Sequence, residues 1–362
     1  MQEDYKTQRK HLKWYHYILI LILVIAILFA SLLGYLSITE FKPEAIMPAI
    51  ASSDKNLAVI DKDELSIMTF NTGYAALGKK ESFILDGGEG CGANEKASVI
   101  KNMEGIEAIL KANPADIYML QELDQPSHRS FDINQILAYE ETLGNYEWRY
   151  AQNFLCKFVP YPFQQPMLDI DSGIVTYSKY QISEANRISL PNPFTWPISM
   201  ANLKRCLLLT RLPIKDSDKE LVIINMHLEA YDDGEGKIAQ TKLLLDTIQE
   251  EYLKGNYVIA GGDFNQIFPE VETIIKPTSE WVPGKLDPLP AEYQDLRYVY
   301  DEDLETCRLL NQAYDPSSEL TQLYLIDGYI VTPNIEVQKI ETINANFEYS
   351  DHNPVMMDVK LK

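Results

Sequence analysis

The sequence predicts an α/β fold preceded by one N-terminal transmembrane helix. Three observations carry that expectation. Residues Ile18–Ile38 (ILILILVIAILFASLLGYLSI) are apolar and uncharged, over a length that spans a hydrocarbon core as a helix. Beyond them, short apolar runs of strand character alternate with segments whose apolar residues recur at helical spacing. Time after time, such a strand gives way to a polar, chemically capable residue.

The N-terminal part divides into three. Residues 1–17 are polar, and Lys6, Arg9, Lys10 and Lys13 outweigh Glu3 and Asp4. A basic flank on that side places the N-terminus in the cytosol and the rest of the chain outside the cell. Trp14, Tyr15, Tyr17 and Tyr35 stand near the ends of the 18–38 run, where aromatic belts sit. The run is longer than a signal-peptide core, and no clear small-x-small cleavage site follows it. An uncleaved, single-pass signal anchor is therefore expected in the cell membrane. Residues 39–62 are weakly patterned, with Pro43 and Pro48, and are expected to be a tether.

Residues 63–362 show no repeat and no internal linker, and are read as one domain. Leu65–Phe70 alternates as a strand and ends at Asn71. Val99, Met103, Ile106 and Leu110 mark a helix within 95–112, which Pro114 ends. Ile117–Leu120 is a strand running into Gln121-Glu122, and a second helix is expected near Ile133–Leu143. Strand-like pieces follow at 147–152 and 173–178, with ordered aromatic-proline loops at 158–166 and 192–196. Leu207–Leu212 and Leu221–Asn225 read as strands, the second ending at Met226-His227. Ile238, Leu245, Ile248 and Tyr252 form a helix face. Tyr257–Ala260 then enters Gly261-Gly262-Asp263-Phe264-Asn265, where the glycines are expected to stop the strand and turn the backbone. Residues 270–318 are expected to be irregular; Asp327 stands in a strand region, and Val355–Val359 alternates as the last strand.

The formal net charge of −21 disfavours broad electrostatic binding of duplex nucleic acid. It leaves room for an acidic site that collects divalent cations. The four cysteines form no CxxC, so a zinc knuckle is not expected. In an exported domain, Cys91 and Cys156 are the better pair for a disulfide, because both are read as loop residues. Cys206, in an apolar run, is read as a buried thiol.

Ligand sites in layered folds gather at strand ends, where loops converge on rigid supports. Five such ends carry candidates: Asn71, Glu122, His227, the Asp263/Asn265 pair and Asp327. Glu122 is a hard oxygen ligand suited to magnesium. Asp263 and Asn265, two apart, can orient a water and hold an oxygen. His227 and His352 suit a hydrogen bond or proton transfer to a phosphate, with Asp327 orienting the His352 imidazole. His128, in a polar loop, and His11 and His16, which precede the apolar run, are given no functional role.

The motifs TFNTGY, LQELD, NMHLEA, GGDFNQ, LIDGYIV and YSDHNPV, in that order, resemble those of the endonuclease/exonuclease/phosphatase superfamily. That group includes deoxyribonuclease I, abasic-site endonucleases, inositol-polyphosphate 5-phosphatases and bacterial sphingomyelinases. The resemblance covers about 63–362. It implies a four-layer α/β/β/α sandwich and metal-dependent hydrolysis of a phosphoester, with magnesium or manganese as cofactor. On this sequence it implies metal ligation by Glu122, with Asn71 and Asp351 nearby. Asp263 orients the attacking water, Asn265 holds a phosphate oxygen, His227 and His352 flank the phosphate, and Asp327 pairs with His352. Lys204, Arg205 and Arg308, beside Lys157 and Lys179, are the candidate substrate contacts.

The leading expectation is an outward-facing, monomeric phosphodiesterase acting on nucleic acid or a phospholipid-like substrate. The alternatives are a phosphomonoesterase acting on a small molecule and a non-catalytic surface binding protein of the same fold.

Overall fold

The structure, a computed structural model, describes residues 13–163, 165–232, 234–276 and 281–362. Lys6, Arg9, Lys10, His11 and most of the expected cytosolic segment lie outside the described residues.

Helix α1 (Trp14–Thr39) is apolar on every side, so nothing in its sequence selects a face to bury. It is long and apolar enough to cross a membrane. Most of it is exposed, and Leu36 near its C-terminal end is buried against the domain.

The domain is built on two seven-stranded sheets. In spatial order, the first runs β1 (Ile46–Pro48), β7 (Glu184–Ser189), β8 (Cys206–Pro213), β9 (Glu220–His227), β10 (Tyr257–Asp263), β16 (Asp327–Val331) and β13 (Arg297–Val299). The second runs β17 (Ile335–Thr342), β18 (Val355–Leu361), β3 (Glu64–Asn71), β4 (Ile117–Asp124), β6 (Leu168–Ser178), β5 (Glu147–Val159) and β2 (Ile50–Ala51). Each sheet has one parallel pair, β9 with β10 and β3 with β4, and is otherwise antiparallel. Two small ladders, β11 (Gln266–Ile267) with β12 (Gly284–Lys285) and β14 (Cys307–Arg308) with β15 (Leu323–Tyr324), order the chain between the large strands.

Period-two side-chain direction makes the layers. Along β3 and β4, Ile67, Ile117 and Met119 point between the sheets, while Met68, Phe70, Tyr118 and Leu120 point outward. The outward set packs on helices α2 (Lys96–Ala112) and α3 (Gln135–Leu143) through Val99, Met103, Ile106 and Ile136. Along β9, Leu221 and Ile223 face inward, and Val222, Ile224 and Met226 face α4 (Glu235–Leu253) through Leu244, Leu245 and Ile248. Central strands with both faces covered read as continuous apolar runs. The result is the expected four-layer α/β/β/α sandwich.

Several sequence-based expectations change. The 39–62 stretch is not simply a tether: β1 pairs with β7 and β2 with β5, so it supplies an edge strand to each sheet. Strand β5 runs to Val159, past the expected end at 152. The 270–318 region carries short strands β12, β13 and β14. Gly261 and Gly262 do not stop β10; both lie inside it. Gly262 has φ +144° and lies so close to β9 that an added Cβ would meet the Met226 carbonyl oxygen at 1.9 Å. Glycine is needed there for close packing. No disulfide joins Cys91 and Cys156; all four cysteines are free. Cys156 is buried within β5 rather than in a loop, and its Sγ donates to the Met200 carbonyl at 3.6 Å. Cys206 is a buried thiol, as its apolar run predicts.

One surface-proximal network makes the fold pH-sensitive. Arg211 donates to Glu251 at 2.9 and 2.7 Å, joined by Lys254 at 2.8 Å and Asn256 at 2.9 Å. Burial pushes the Glu251 carboxyl up, but these partners outweigh it and hold it down at about 2, against 4.5 ordinarily. The folded value lies below the unfolded one, so the stabilisation is present above pH 4.5 and fades as pH falls toward 2. Glu251→Gln is expected to lower the urea midpoint at pH 7. The gap from the unsubstituted protein should then close as the titration is repeated between pH 4.5 and 2.

Candidate active site

Strand register places most of the site. Asp263, the last residue of β10, pairs with His227 at the end of β9 and with Asp327 at the start of β16. Three functional side chains thus stand in one row across the first sheet. Asp327 opens its strand rather than closing one. It reaches the same edge because β16 runs antiparallel to β10. On the second sheet, Asn71 pairs with Gln121 in parallel register, and Glu122 follows in a bulge of the β4–β6 ladder. Glu122 has φ +54°, a conformation that costs about 1–3 kcal/mol and turns its side chain out of the ladder into the cleft. Asn265 has φ +51°, which asparagine tolerates better than most residues.

The groups converge on one atom, Asp263 Oδ2. Asn71 Nδ2 donates to it at 3.0 Å, His227 Nε2 stands 3.4 Å away and His352 Nε2 3.8 Å away. The other oxygen, Oδ1, accepts the Asn265 backbone N–H at 2.8 Å. His352 Nδ1 meets Asp327 Oδ2 at 2.8 Å, so the expected Asp–His pair is formed. Asp351 Oδ2 is 3.9 Å from His352 Nε2, and Glu122 Oε1 is 3.9 Å from His227 Nε2. All eight expected site residues outside the Arg/Lys set are within this cluster, and all but Glu122 are buried. Asn265 is used differently from expectation: its side-chain amide donates to the Leu228 carbonyl at 2.9 Å and stands 3.4 Å from Asp263 Oδ2. It positions Asp263.

Burial sets the electrostatics. Desolvation, reinforced by neighbouring Asp327, pushes Asp263 up to about 7 although His352 opposes it. Burial likewise raises Asp351 to about 7, with His352 lowering and Glu122 raising it. His227 is held well below its ordinary value by burial, and by the charges of Arg205, His352 and Arg129. It is a neutral imidazole at pH 7. For His352, burial disfavours the charge, but Asp327 and the other acids outweigh it and raise the value well above normal.

A cleft of about 440 Å³ opens over the cluster. Its basic residues are already committed. Arg308 is 1% exposed and donates to the carbonyls of Gly78, Glu81 and Gln312 at 2.6, 3.1 and 3.1 Å. Arg205 lies 3.5 Å from Glu229 and donates to the His227 carbonyl at 3.4 Å. Lys204 is turned toward α1, donating to Glu40 and to the Ser199 carbonyl. Lys179 pairs with Asp116. Of the expected substrate contacts, Arg205 and Arg308 line the cleft; Arg308 clamps backbone carbonyls, whereas Arg205 pairs with Glu229 at 3.5 Å and its Nε has no hydrogen-bond partner.

Arg129 was not anticipated from the sequence. It clamps Asp124 with bonds of 3.0 and 2.8 Å, donates to Ser172 and lies 3.7 Å over the Tyr74 ring on the cleft wall. Its polar loop, Ser127–Ser130, carries no one-dimensional mark of that role. Asp86 and Tyr231 also line the cleft, joined by a 3.1 Å hydrogen bond.

The donor set suits a hard divalent cation. Asp263, Asp327 and His352 offer ligand atoms within 4.8 Å of one another, but Asp327 and His352 are bonded to each other. Glu122 is the carboxylate that opens into the cleft, and no lysine or arginine pairs with it among the described residues. Asp327 Oδ1 is buried without a hydrogen-bond partner, while its Oδ2 meets His352 at 2.8 Å. Oxygen donors from Glu122, Asn71 and Asp351 fit such an ion.

Residues 68–279, more than half of the chain, match the sequence profile of the Endonuclease/Exonuclease/phosphatase family. No curated protein matches the sequence significantly. Among solved structures, an endonuclease/exonuclease/phosphatase from Beutenbergia cavernae is similar at TM-score 0.56 and 17% identity, over 83% of this chain and 72% of that one. One from Bacteroides vulgatus has TM-score 0.53 and 16% identity, over 83% of this chain and all of that one. The human Nocturnin catalytic domain has TM-score 0.50 and 17% identity, over 85% and 98% of the two chains. At these identities the likeness is one of fold.

The Arg308 geometry makes a separable prediction. Arg308→Leu takes this donor from four carbonyls, those of Leu77, Gly78, Glu81 and Gln312, and is expected to cost about 3 kcal/mol or more, read as a lowered denaturant midpoint. If Arg308 instead held substrate, KM would rise with the midpoint unmoved.

Proposed function

The chain belongs to the endonuclease/exonuclease/phosphatase family, and from that premise we propose that it is a membrane-anchored, outward-facing, divalent-metal-dependent hydrolase of a phosphodiester. The observation that carries the reading is the convergence of Asn71, His227 and His352 on Asp263 Oδ2, at 3.0, 3.4 and 3.8 Å. A carboxylate so placed, titrating near neutrality, can hold a water and take its proton as the water attacks phosphorus. Asn71 and the Asn265 backbone N–H hold that carboxylate in one orientation.

His352, kept protonated by Asp327, supplies a charged N–H to a phosphoryl oxygen. Neutral His227 offers a second nitrogen on the other side of Asp263. Glu122, with Asn71 and Asp351, would hold magnesium or manganese. The chemistry such an ion supplies when bound is neutralisation of charge on the phosphoryl oxygens. The acidic cluster and the commitment of Arg205 and Arg308 elsewhere support dependence on a cation from solution. The basic flank of residues 1–17 and the apolar α1 support the orientation, with the catalytic domain outside the cell. Candidate substrates are nucleic acid and phospholipid-like molecules.

The test is a substrate panel on the purified full chain with magnesium: DNA, RNA, phospholipid vesicles and bis-p-nitrophenyl phosphate. Hydrolysis of at least one is expected, abolished by chelator. His227→Ala and Asp263→Ala are each expected to lower kcat by about 10²–10⁴-fold. A well-folded chain inactive on the whole panel would sink the reading.

A further inference from the structure

We propose that the cleft opens at the bilayer surface and that its substrate is a membrane phospholipid. This rests on the phosphodiesterase reading and narrows it. The geometry starts from α1. Its apolar run Ile18–Ile38 spans about 31 Å at 1.5 Å per residue, the thickness of a hydrocarbon core. Within that run Leu36 is buried, and Leu32 and Leu33 are half-buried, against a domain cluster that includes Phe154, Val159, Met167 and Met200. Leu32 lies about 7.5 Å below Ser37 along the helix axis. The domain therefore reaches past the end of the apolar run by at least one helical turn. Ending the span before Leu32 leaves Ile18–Ser31, about 21 Å long, well short of a core of about 30 Å.

Polar ties hold this docking. Trp196 Nε1 donates to Ser37 Oγ at 3.2 Å, and Ser37 Oγ donates to Met200 Sδ at 2.9 Å. Lys204 Nζ donates to Glu40 at 2.8 Å. A tryptophan bonded through its N–H at the end of a span sits where interfacial aromatics sit. The segment that carries these ties also lines the cleft, through Phe194, Ile198, Ala201 and Leu203. One short stretch of chain thus touches the membrane helix and the cleft wall together. Beside it, Phe163, Ile198 and Trp196 are 79, 62 and 60% exposed. Tyr161, another cleft residue, packs edge-on against Phe163 at 5.9 Å. Large exposed apolar side chains grouped at a site mark a contact surface, and a bilayer is the partner already in reach.

The cleft itself fits an amphiphile. One end holds the Asp263 cluster, and the walls carry Phe83, Leu85, Val159, Met167 and Leu203. A nucleic-acid strand brings a phosphate at every nucleotide and needs a basic track. Here Arg129, Arg205 and Arg308 are committed to internal partners, and the chain's net charge is −21. A phospholipid brings one phosphodiester joined to an apolar body, which matches both ends.

Two measurements on the full-length chain test this. In nanodiscs of brominated phosphatidylcholine, tryptophan emission should be quenched, and Trp196→Phe should lose a measurable share of the quenching. Equal quenching in both proteins overturns the interfacial position of Trp196. The second measurement compares three magnesium-supplemented substrates. They are vesicles mixing phosphatidylcholine, phosphatidylethanolamine, phosphatidylglycerol and sphingomyelin (read by ³¹P NMR), a single-stranded DNA oligonucleotide, and soluble bis-p-nitrophenyl phosphate. Vesicle lipid should be cleaved. Phe163→Ser should lower that rate tenfold or more while hydrolysis of the soluble diester stays within twofold, which also shows that the variant is folded. Cleavage of DNA or the soluble diester with vesicles untouched overturns the lipid assignment and leaves the phosphodiesterase standing. No cleavage in any arm overturns both.

Discussion

The hydrogen bond from Asn71 to Asp263, 3.0 Å long, joins the two sheets at the point where the chemistry is assembled. Asn71 ends a strand of one sheet and Asp263 a strand of the other. Their contact requires the sheets to keep one spacing and one rotation. Other buried bonds enforce that spacing. Gln121 donates to Asn225 at 2.8 Å across the interface, and Asn225 donates to the Leu120 and Val175 carbonyls. The Tyr329 hydroxyl, from the first sheet, donates to the Val355 carbonyl of the second at 2.7 Å. Buried polar groups that lose a partner cost about 1–3 kcal/mol each, so these bridges penalise any slippage of the layers. The glycines of β10 serve the same end by letting β9 and Tyr329 approach closely.

This packing also creates the electrostatics. Four carboxylates are drawn toward one cleft, and dry surroundings make their charge expensive. Arg308 lowers Asp351 in part, but burial outweighs it. What remains is an acidic, partly protonated cluster at neutral pH, with one imidazole charged by Asp327 and another kept neutral by burial. Opposite protonation of two histidines so close together gives the cluster both a charged donor and a neutral nitrogen.

The region around α1 follows a different logic. The helix has no face of its own, yet its last turns are seated in an apolar cluster of the domain. The loop that receives it continues into the cleft wall. One cleft thus carries both the acidic cluster and apolar walls, a juxtaposition that composition averaged over the sequence conceals.

What the sequence determined by itself was the local material. Period-two and helical apolar patterns set the strand and helix identities, the 18–38 run set the apolar helix, and ordered motifs marked Asn71, Glu122, His227, Asp263, Asp327 and His352. These signals survive because each depends on neighbours a few residues away. Boundaries were less legible: β5 runs on to Val159 because β6 and the α1-facing cluster support it, and residues 46–51 became edge strands only because β7 and β5 were there to pair with. Tertiary structure alone decided which charges are available. Arg308 and Lys204 looked like substrate contacts, but bonds to distant Gly78 and Glu40 commit them elsewhere. Arg129 and the Asn265 amide acquired their positions in the same way. Such partners lie far away along the chain, and no residue type or spacing announces a hydrogen bond that exists only once two sheets have met.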